Sequence, residues 1–390
     1  MAAYDLIATA TFGVESIVAD ELKGLGYSDA RTENGRVCFT GDAKDIARTN
    51  LALRCADRVL IKMTSFKATD FEELFQGTLA VRWEDFIPLD GKMHVKGKSH
   101  KSLLSSVPDC QSIVKKAVVE AMKRRYHRAR FDESGPVYGI EVSLLSDIAT
   151  LTIDTSGPGL HKRGYRLDKG EAPLRETLAA ALVALSRWEP GREFADPFCG
   201  SGTIAIEAGL VGRNVAPGLM RSFVCEEWPH MPKKVWLEAR QEARSAIREI
   251  PFRILASDAD ASVLKAAAQN ARRAGLDDFI SFQRRTIEEF SSAKKYGCIV
   301  CNPPYGERTG RAAEVEKIYR AMGEVYGRLD GWSLFALSPH PSFERLFGRK
   351  AQKKRKLYNG TILCHLYQYL GPLPPRRKER SREAPDPLPE

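Results

Sequence analysis

Apolar positions along this chain change period repeatedly, from every second residue to every third or fourth, and the changes outline the elements. Residues 4–10 read as a strand, and a helix opens near Val14 with Ile17, Val18 and Leu22 on one face, ending at Gly24-Leu25-Gly26. A strand over 35–40 and a helix from Asp42 to about Leu53 complete a small α+β unit of ferredoxin-like character. From about 60 to 155 the mixture repeats, with a strand at 58–63, helices around 70–76 and 111–126, and two closing strands at 137–142 and 148–154. From about Gly170 to 370 helix and strand alternate, the pattern of a doubly wound parallel sheet. The predicted class is α/β, a doubly wound domain preceded by an α+β module.

Three short stretches in the second half carry chemistry. Glu193 to Thr203 runs from a strand through Asp196-Pro197-Phe198-Cys199-Gly200-Ser201-Gly202 into an apolar helix. Gly200 and Gly202 let the backbone turn sharply and approach a ligand at a helix N-terminus. No Lys follows the second glycine, so this is not a phosphate loop, and the full GxGxxG spacing is missing. Ile254 to Asp260 is a strand ending in acid, where a carboxylate can take both hydroxyls of a ribose. The run Gly297 to Cys301 is a short buried strand leading into Asn302-Pro303-Pro304-Tyr305. There the Asn oxygen and a carbonyl beside the prolines can accept the two hydrogens of an exocyclic amine, while the Tyr ring offers a face to the base.

In this order the three stretches resemble the class I S-adenosylmethionine-dependent methyltransferases that modify amino groups of nucleobases, with a Rossmann-like fold. The segments 156–166 and 172–179 look like those before the glycine loop in THUMP-domain RNA methyltransferases. Asn302 to Arg308 and Lys356 to Gly360 look like the branch that makes N2-methylguanine in large-subunit (23S) ribosomal RNA. The resemblance reaches to about residue 372. It implies a ferredoxin-like domain (1–60), a THUMP RNA-binding domain (61–155), a linker (156–169), a methyltransferase domain (170–371) and a disordered basic, Pro-rich tail (372–390).

It also implies roles. Asn302 with Pro303 holds the amine, and Tyr305 with Pro304 stacks on the base. Asp196, Gly200 and Gly202 line the methionine end of the cofactor and Asp258 holds the ribose, with Phe198, Cys199, Thr203, Ala259, Thr286 and Asn302 also at the cofactor. Thr286 stands where many relatives carry an acid for the adenine amine. Gly212 to about Ile250, aromatic-rich from Phe223 to Trp236, is an insertion that the family shares. It is expected, with Gly306-Glu307-Arg308, to help read the base.

Composition agrees with a polyanionic partner: 60 Lys and Arg against 50 Asp and Glu give a net charge of +10. The cationic candidates for RNA are Lys96, Lys98 and Lys101, Lys115 and Lys116, Arg124 and Arg125, and Lys353 to Lys356. Lys162, Arg163 and Arg166 are placed either on the RNA backbone or at the cofactor carboxylate. Eight cysteines are scattered, and the one CxxC, Cys298 to Cys301, lies in a strand where those positions face opposite ways. Neither they nor the seven histidines show metal-ligand spacing, so no metal is expected. No signal peptide or membrane span is read, and a cytoplasmic enzyme is expected. The competing readings are methylation of guanine N2 in tRNA, of adenine N6, and a non-catalytic ribosome-assembly factor. Oligomeric state is not legible.

Overall fold

The computed structural model describes residues 3–166, 174–306 and 312–375. Its first half comprises β1 (Tyr4–Thr9), α1 (Glu15–Gly24), β2 (Arg31–Glu33), β3 (Arg36–Gly41), α2 (Ala43–Ala52), β4 (Arg58–Lys67), α3 (Phe71–Leu79), β5 (Lys92–His100), α4 (Val107–Tyr126), β6 (Val137–Leu145) and β7 (Ile148–Asp154). These strands form one seven-stranded sheet in the order β2-β3-β1-β4-β7-β6-β5. The boundary expected at 60/61 therefore falls inside β4, which pairs with β1 on one side and β7 on the other. One face of the sheet is apolar and lies under the helices, with Leu6, Val59, Ile61, Val142 and Leu151 in the core. The opposite face lines a cleft and is mixed: the alternate residues include Arg36, Arg58, Glu141 and Ser143 beside Ile7, Leu60 and Ile148.

The second half comprises α5 (Glu176–Ser186), β8 (Phe194–Asp196), α6 (Thr203–Gly212), α7 (Lys233–Ser245), β9 (Ile254–Asp258), α8 (Ala261–Arg273), β10 (Ile280–Arg284), β11 (Cys298–Cys301), α9 (Ala312–Arg328), β12 (Ser333–Ser338), α10 (Phe343–Phe347), β13 (Lys353–Asn359) and β14 (Ile362–Tyr369). Its sheet runs β10-β9-β8-β11-β12-β14-β13. The first five strands are parallel, and β14 and β13 form an antiparallel hairpin at the edge. This is the expected doubly wound, Rossmann-like class. Both faces of β11 are covered: Cys298 and Val300 enter one core, Ile299 and Cys301 the other. The two cysteines do point opposite ways, and both are buried.

The expected linker is a packed strap where it is described. Asn50 on α2 takes both of its first polar side chains, donating to Thr155 Oγ1 at 2.9 Å and accepting from Ser156 Oγ at 2.6 Å. Arg163 is only 2% exposed. Its Nε and a terminal nitrogen lie 3.3 and 3.4 Å from the Glu207 carboxylate on α6. Its remaining donors go to the carbonyls of Leu160 and Arg54, and Tyr165 Oη adds a bond to Glu207 at 3.2 Å. Burial works against the charge on Arg163, but Glu207 outweighs it and holds the guanidinium above its ordinary range. The RNA contact expected of Arg163 is thus excluded, because every arm of the side chain is spent inside the protein.

The insertion after α6 completes the joint. Trp228 stacks on Tyr138 of β6 at 4.7 Å and donates to the Val137 carbonyl at 3.0 Å. Gly218 N donates to the Leu51 carbonyl at 2.9 Å. Arg221 takes the carbonyls of Pro158 and Gly159 at 2.5 and 2.6 Å. Phe223 and Trp236, expected near the base, are instead buried against each other.

Removing one partner of a buried pair leaves the other charge stranded. Glu207→Ala should therefore destabilise the protein by about 3–5 kcal/mol in chemical denaturation, and Arg163→Met/Glu207→Leu by clearly less.

Candidate active site at the switch point of the second sheet

Strand order reverses between β8 and β11: the chain leaves β8 toward β9 on one side and later returns as β11 on the other. A crevice opens there at the carboxyl ends of the parallel strands. Asp196 ends β8, Asp258 ends β9, and Asn302 follows β11, so topology alone gathers the three stretches singled out in the sequence.

The glycine turn is tied to both strands. Cys199 N donates to the Ser257 carbonyl at 2.9 Å. Gly200 N donates to Asp258 Oδ2 at 3.0 Å, while Asp260 N takes Oδ1 at 3.0 Å. Gly200 and Gly202 have φ of +50° and +84°, which a side chain would strain. A Cβ on Gly200 would meet no protein atom within 4 Å, so the turn leaves an open cradle. Phe198 is half-buried against the second core, and Cys199 is a buried thiol pushed up by burial and by Asp196.

Two buried polar groups beside this cradle lack partners. Asp196 is 1% exposed; its Oδ1 accepts from Phe198 N at 3.2 Å and its Oδ2 has no protein donor. Burial, opposed by the Phe198 N–H and reinforced by the charge on Asp258, pushes its carboxyl up to about 8. Arg166 pairs with Glu176 at 3.3 Å and donates to Thr203 Oγ1, leaving its buried Nε unpaired. An unpaired carboxylate oxygen and an unpaired guanidinium N–H fit the ammonium and carboxylate of an amino-acid moiety. Each oxygen of Asp258 retains acceptor capacity for a ribose hydroxyl. S-adenosylmethionine therefore fits the residues present. Of the two sites open to Arg166, the geometry favours the cofactor.

After β10, Thr286 is exposed, and its N–H is taken by Glu289 Oε2 at 2.8 Å, a cap on the backbone of that turn. Ala259 is exposed, and its carbonyl accepts from Arg284 Nε at 3.3 Å.

In the turn after β11 Pro303 is buried, Pro304 exposed and Tyr305 half-buried. Tyr305 Oη donates to Asn302 Oδ1 at 2.5 Å and accepts from Asn359 Nδ2 at 3.3 Å, with Cys364 Sγ at 3.7 Å. Burial and Cys364 push the phenol up, so it remains a donor. Tyr319 Oη takes the Pro304 carbonyl at 2.9 Å, and among the described residues no such bond is recorded at the Pro303 carbonyl. The Asn302 oxygen expected to accept an amine is thus bound to a hydroxyl of this chain. Glu307 and Arg308 lie outside the described residues.

The cationic candidates divide among several surfaces. Lys96 and Lys98 stand exposed on the open sheet face, with Lys98 paired to Glu141 at 2.7 Å. A cleft of about 800 Å³ lies on that face, lined by Arg36, Arg58, Lys98 and His100 and reaching His161 and Arg175 beside the strap. Burial and the neighbouring cations Arg175, Lys162, Arg163 and Arg58 press His161 down to about 4, which marks a positive field. Lys101 is exposed just past β5. Lys115, Lys116, Arg124 and Arg125 sit on α4, in the helical layer; Lys115 is tied to Glu133 at 2.7 Å, and Lys116 lies over Phe75. Lys162 is exposed on the strap. Among the described residues there is no cluster that could hold a metal ion, and no helix is long and apolar enough to cross a membrane.

Comparison with known proteins agrees with this geometry. The model of the RMKL-like methyltransferase domain matches residues 163–368, that of the RlmL ferredoxin-like domain residues 5–60, and that of the THUMP domain residues 68–154. The chain is 51% identical to the "Putative RNA methyltransferase YpsC" of Bacillus subtilis, over 97% of this chain and 99% of that one. It is 34% identical to the ribosomal RNA large subunit methyltransferase K/L of Syntrophotalea carbinolica, covering 93% of this chain but 53% of that protein. The chain thus spans about half the length of that K/L relative. A crystal structure from Listeria monocytogenes, described as a "predicted N6-adenine-specific DNA methylase", superposes with a TM-score of 0.91 at 52% identity, over 95% of this chain and 97% of that one. SMU.472, a methyltransferase-like protein complexed with SAH, gives 0.90 at 44% identity, over 95% and 99%.

Asp196 supplies a test. With a carboxyl near 8 in the unliganded protein, against an ordinary value of about 3.9, it is neutral at pH 6–7. That contribution to stability is lost as pH rises through about 8. An ammonium beside it favours the carboxylate instead, so binding below about pH 8 releases a proton. Affinity for S-adenosylhomocysteine, measured by calorimetry, should rise by up to about tenfold per pH unit between roughly 6 and 8 and then flatten. Asp196→Asn should abolish the slope.

Proposed function

The chain belongs to the RMKL-like methyltransferases that carry a ferredoxin-like and a THUMP domain, and from that membership we propose that it methylates the exocyclic N2 amine of a guanosine in RNA, with large-subunit (23S) ribosomal RNA as substrate. It is dependent on S-adenosylmethionine, as the family is. Support for RNA comes from the THUMP match and from relatives named as RNA and ribosomal RNA methyltransferases. Support for guanine comes from the resemblance of Asn302 to Arg308 and of Lys356 to Gly360 to the N2-methylguanine branch. An RNA substrate would place the reaction in the cytoplasm.

The observation that carries this reading is the hydrogen bond from Tyr305 Oη to Asn302 Oδ1 at the switch point. It identifies an acceptor in the crevice, poised for a planar N–H donor. When bound, S-adenosylmethionine supplies an electrophilic methyl group; the residues of this chain bring the nucleophilic nitrogen to it. The amine lone pair is delocalised into the base, so alignment matters most. Asn302 Oδ1 and the Pro303 carbonyl accept the two amine hydrogens, which favours a more tetrahedral nitrogen and accommodates its developing positive charge. The extra proton leaves to water after the carbon–nitrogen bond forms. The Tyr305 ring, released from its hydroxyl contact, stacks on the base, with Pro304 exposed beside it.

The deciding experiment uses bulk RNA from a strain lacking the gene, purified protein and labelled S-adenosylmethionine, with ribosomal and transfer RNA digested separately. Label in N2-methylguanosine from the large ribosomal RNA is the expected outcome. The same nucleoside from tRNA would reassign the substrate, N6-methyladenosine would overturn the base, and no label with naked and ribosome-bound RNA alike would leave a binding protein. Asn302→Ala should lower kcat by about 10²–10³-fold while S-adenosylhomocysteine binding stays near wild type. Tyr305→Phe keeps the ring and removes the competing hydroxyl, so KM for RNA should fall by about two- to tenfold, the worth of one hydrogen bond.

A further inference from the structure

The loop after β1 reaches across to the catalytic domain. Gly13, with φ of +90°, passes so close to β13 that a Cβ there would lie 2.4 Å from the Lys356 carbonyl oxygen. Arg355 fixes the contact, donating to the Gly13 carbonyl and to Ser16 Oγ, both at 2.8 Å. The neighbouring Phe12 is thereby held against Tyr358, with ring centroids 6.1 Å apart and planes at 79°. Yet Phe12 is 54% exposed, and Leu363, the register partner of Tyr358, is 41% exposed. Apolar side chains placed this firmly and left half in water mark a contact surface rather than a core.

The pleat gives the β13–β14 hairpin two faces. Asn359 and Cys364 turn toward the Tyr305 hydroxyl. Tyr358 and Leu363, and the next pair Lys356 and His365, therefore project on the other face. That face sets the Tyr358 ring and Leu363 beside Lys356 and His365, and Lys356 is exposed. Phosphates complement the charge and bases complement the rings, as on surfaces that track a single strand.

We infer that the outer face of this hairpin, together with Phe12 from the N-terminal domain, is a stacking surface for the RNA nucleotides flanking the target, an inference that rests on the methylation reading above. A nucleotide seated there lies across the hairpin from the Tyr305 hydroxyl, which Asn359 and Cys364 hold on the other face. The same hairpin thus grips Tyr305 on one side and the flanking strand on the other, and Phe12 makes the N-terminal domain part of the substrate site.

The test is steady-state kinetics of full-length Phe12→Ala, Phe12→Leu and Phe12→Trp on the RNA that the wild type methylates, with thermal stabilisation by S-adenosylhomocysteine as the check on folding. Loss of one base–aromatic stack should raise KM for RNA by about five- to hundredfold in the Ala and Leu variants, with kcat near wild type, while Trp keeps KM within about twofold. Wild-type KM in the Leu variant would mean that apolar bulk suffices and would overturn the stacking role, as would wild-type KM in all three. Transfer of no label to RNA by the wild type would instead bring down the methylation reading itself, so the two failures are distinguishable.

Discussion

The relative placement of the two halves depends on one buried charge pair, Arg163 with Glu207. A guanidinium in the interior is tolerable only when all its donors are answered. Here the answers come from three places: the carboxylate on α6, the Leu160 carbonyl of the strap itself, and the Arg54 carbonyl of the N-terminal domain. A shift of any of the three would strand a charge, which no apolar contact penalises so steeply. Because α6 begins at the glycine turn, the pair also fixes the N-terminal sheet with respect to the cofactor cradle. Arg221 and Trp228 of the insertion reinforce the same joint from the outside.

Beyond that joint, the site is assembled by strand ends. The glycine turn, Asp258 and Asn302 are separated widely in sequence, but all leave the carboxyl edge of adjacent parallel strands. The edge hairpin adds a different kind of control, since β14 is antiparallel and presents alternate residues to opposite sides. Its inner residues Asn359 and Cys364 hold the Tyr305 hydroxyl beside Asn302. This arrangement gives the half-buried Asn302 amide a partner within the protein, and the bond is of the same kind that an amine would make in the proposed reaction. Exchange of one donor for another costs little, so the turn can be ordered beforehand without a large barrier to the base.

The legible parts of this protein were the local ones. Asp196 to Thr203, Asp258 and Asn302 to Tyr305 carry their chemistry within a few residues, and the doubly wound class follows from alternation of elements. What escaped was long-range. Arg163 looks like part of a basic run, Lys162-Arg163, because its partner lies 44 positions away. The only local sign was Glu207 itself, an acid in the apolar helix Ile204 to Gly209, which demands a cation. β5 was hidden by its charge: Lys92, His94, Lys96, Lys98 and His100 alternate as a strand should, but Gly97 and Ser99 between them weaken the apolar signal. The aromatic insertion reads as a ligand-binding segment until its rings are seen stacked against the N-terminal sheet.

Selection of one nucleotide among many follows from these features taken together. Two acceptors on an amine recognise that amine on any base, so in the proposed roles Asn302 and Pro303 would contribute rate more than choice. Discrimination must then come from what can bring a base to them. Two sheets locked by a buried ion pair and an aromatic joint form a single body, in which the cleft face of the first sheet and the turn after β11 keep a fixed separation. In the proposed reaction, an RNA whose anchoring segment and unstacked guanosine match that separation would satisfy both at once, whereas a flexible joint would let many segments reach the turn. A fixed span converts weak, sequence-independent phosphate contacts into positional choice, since contacts made at the wrong spacing cannot be made simultaneously.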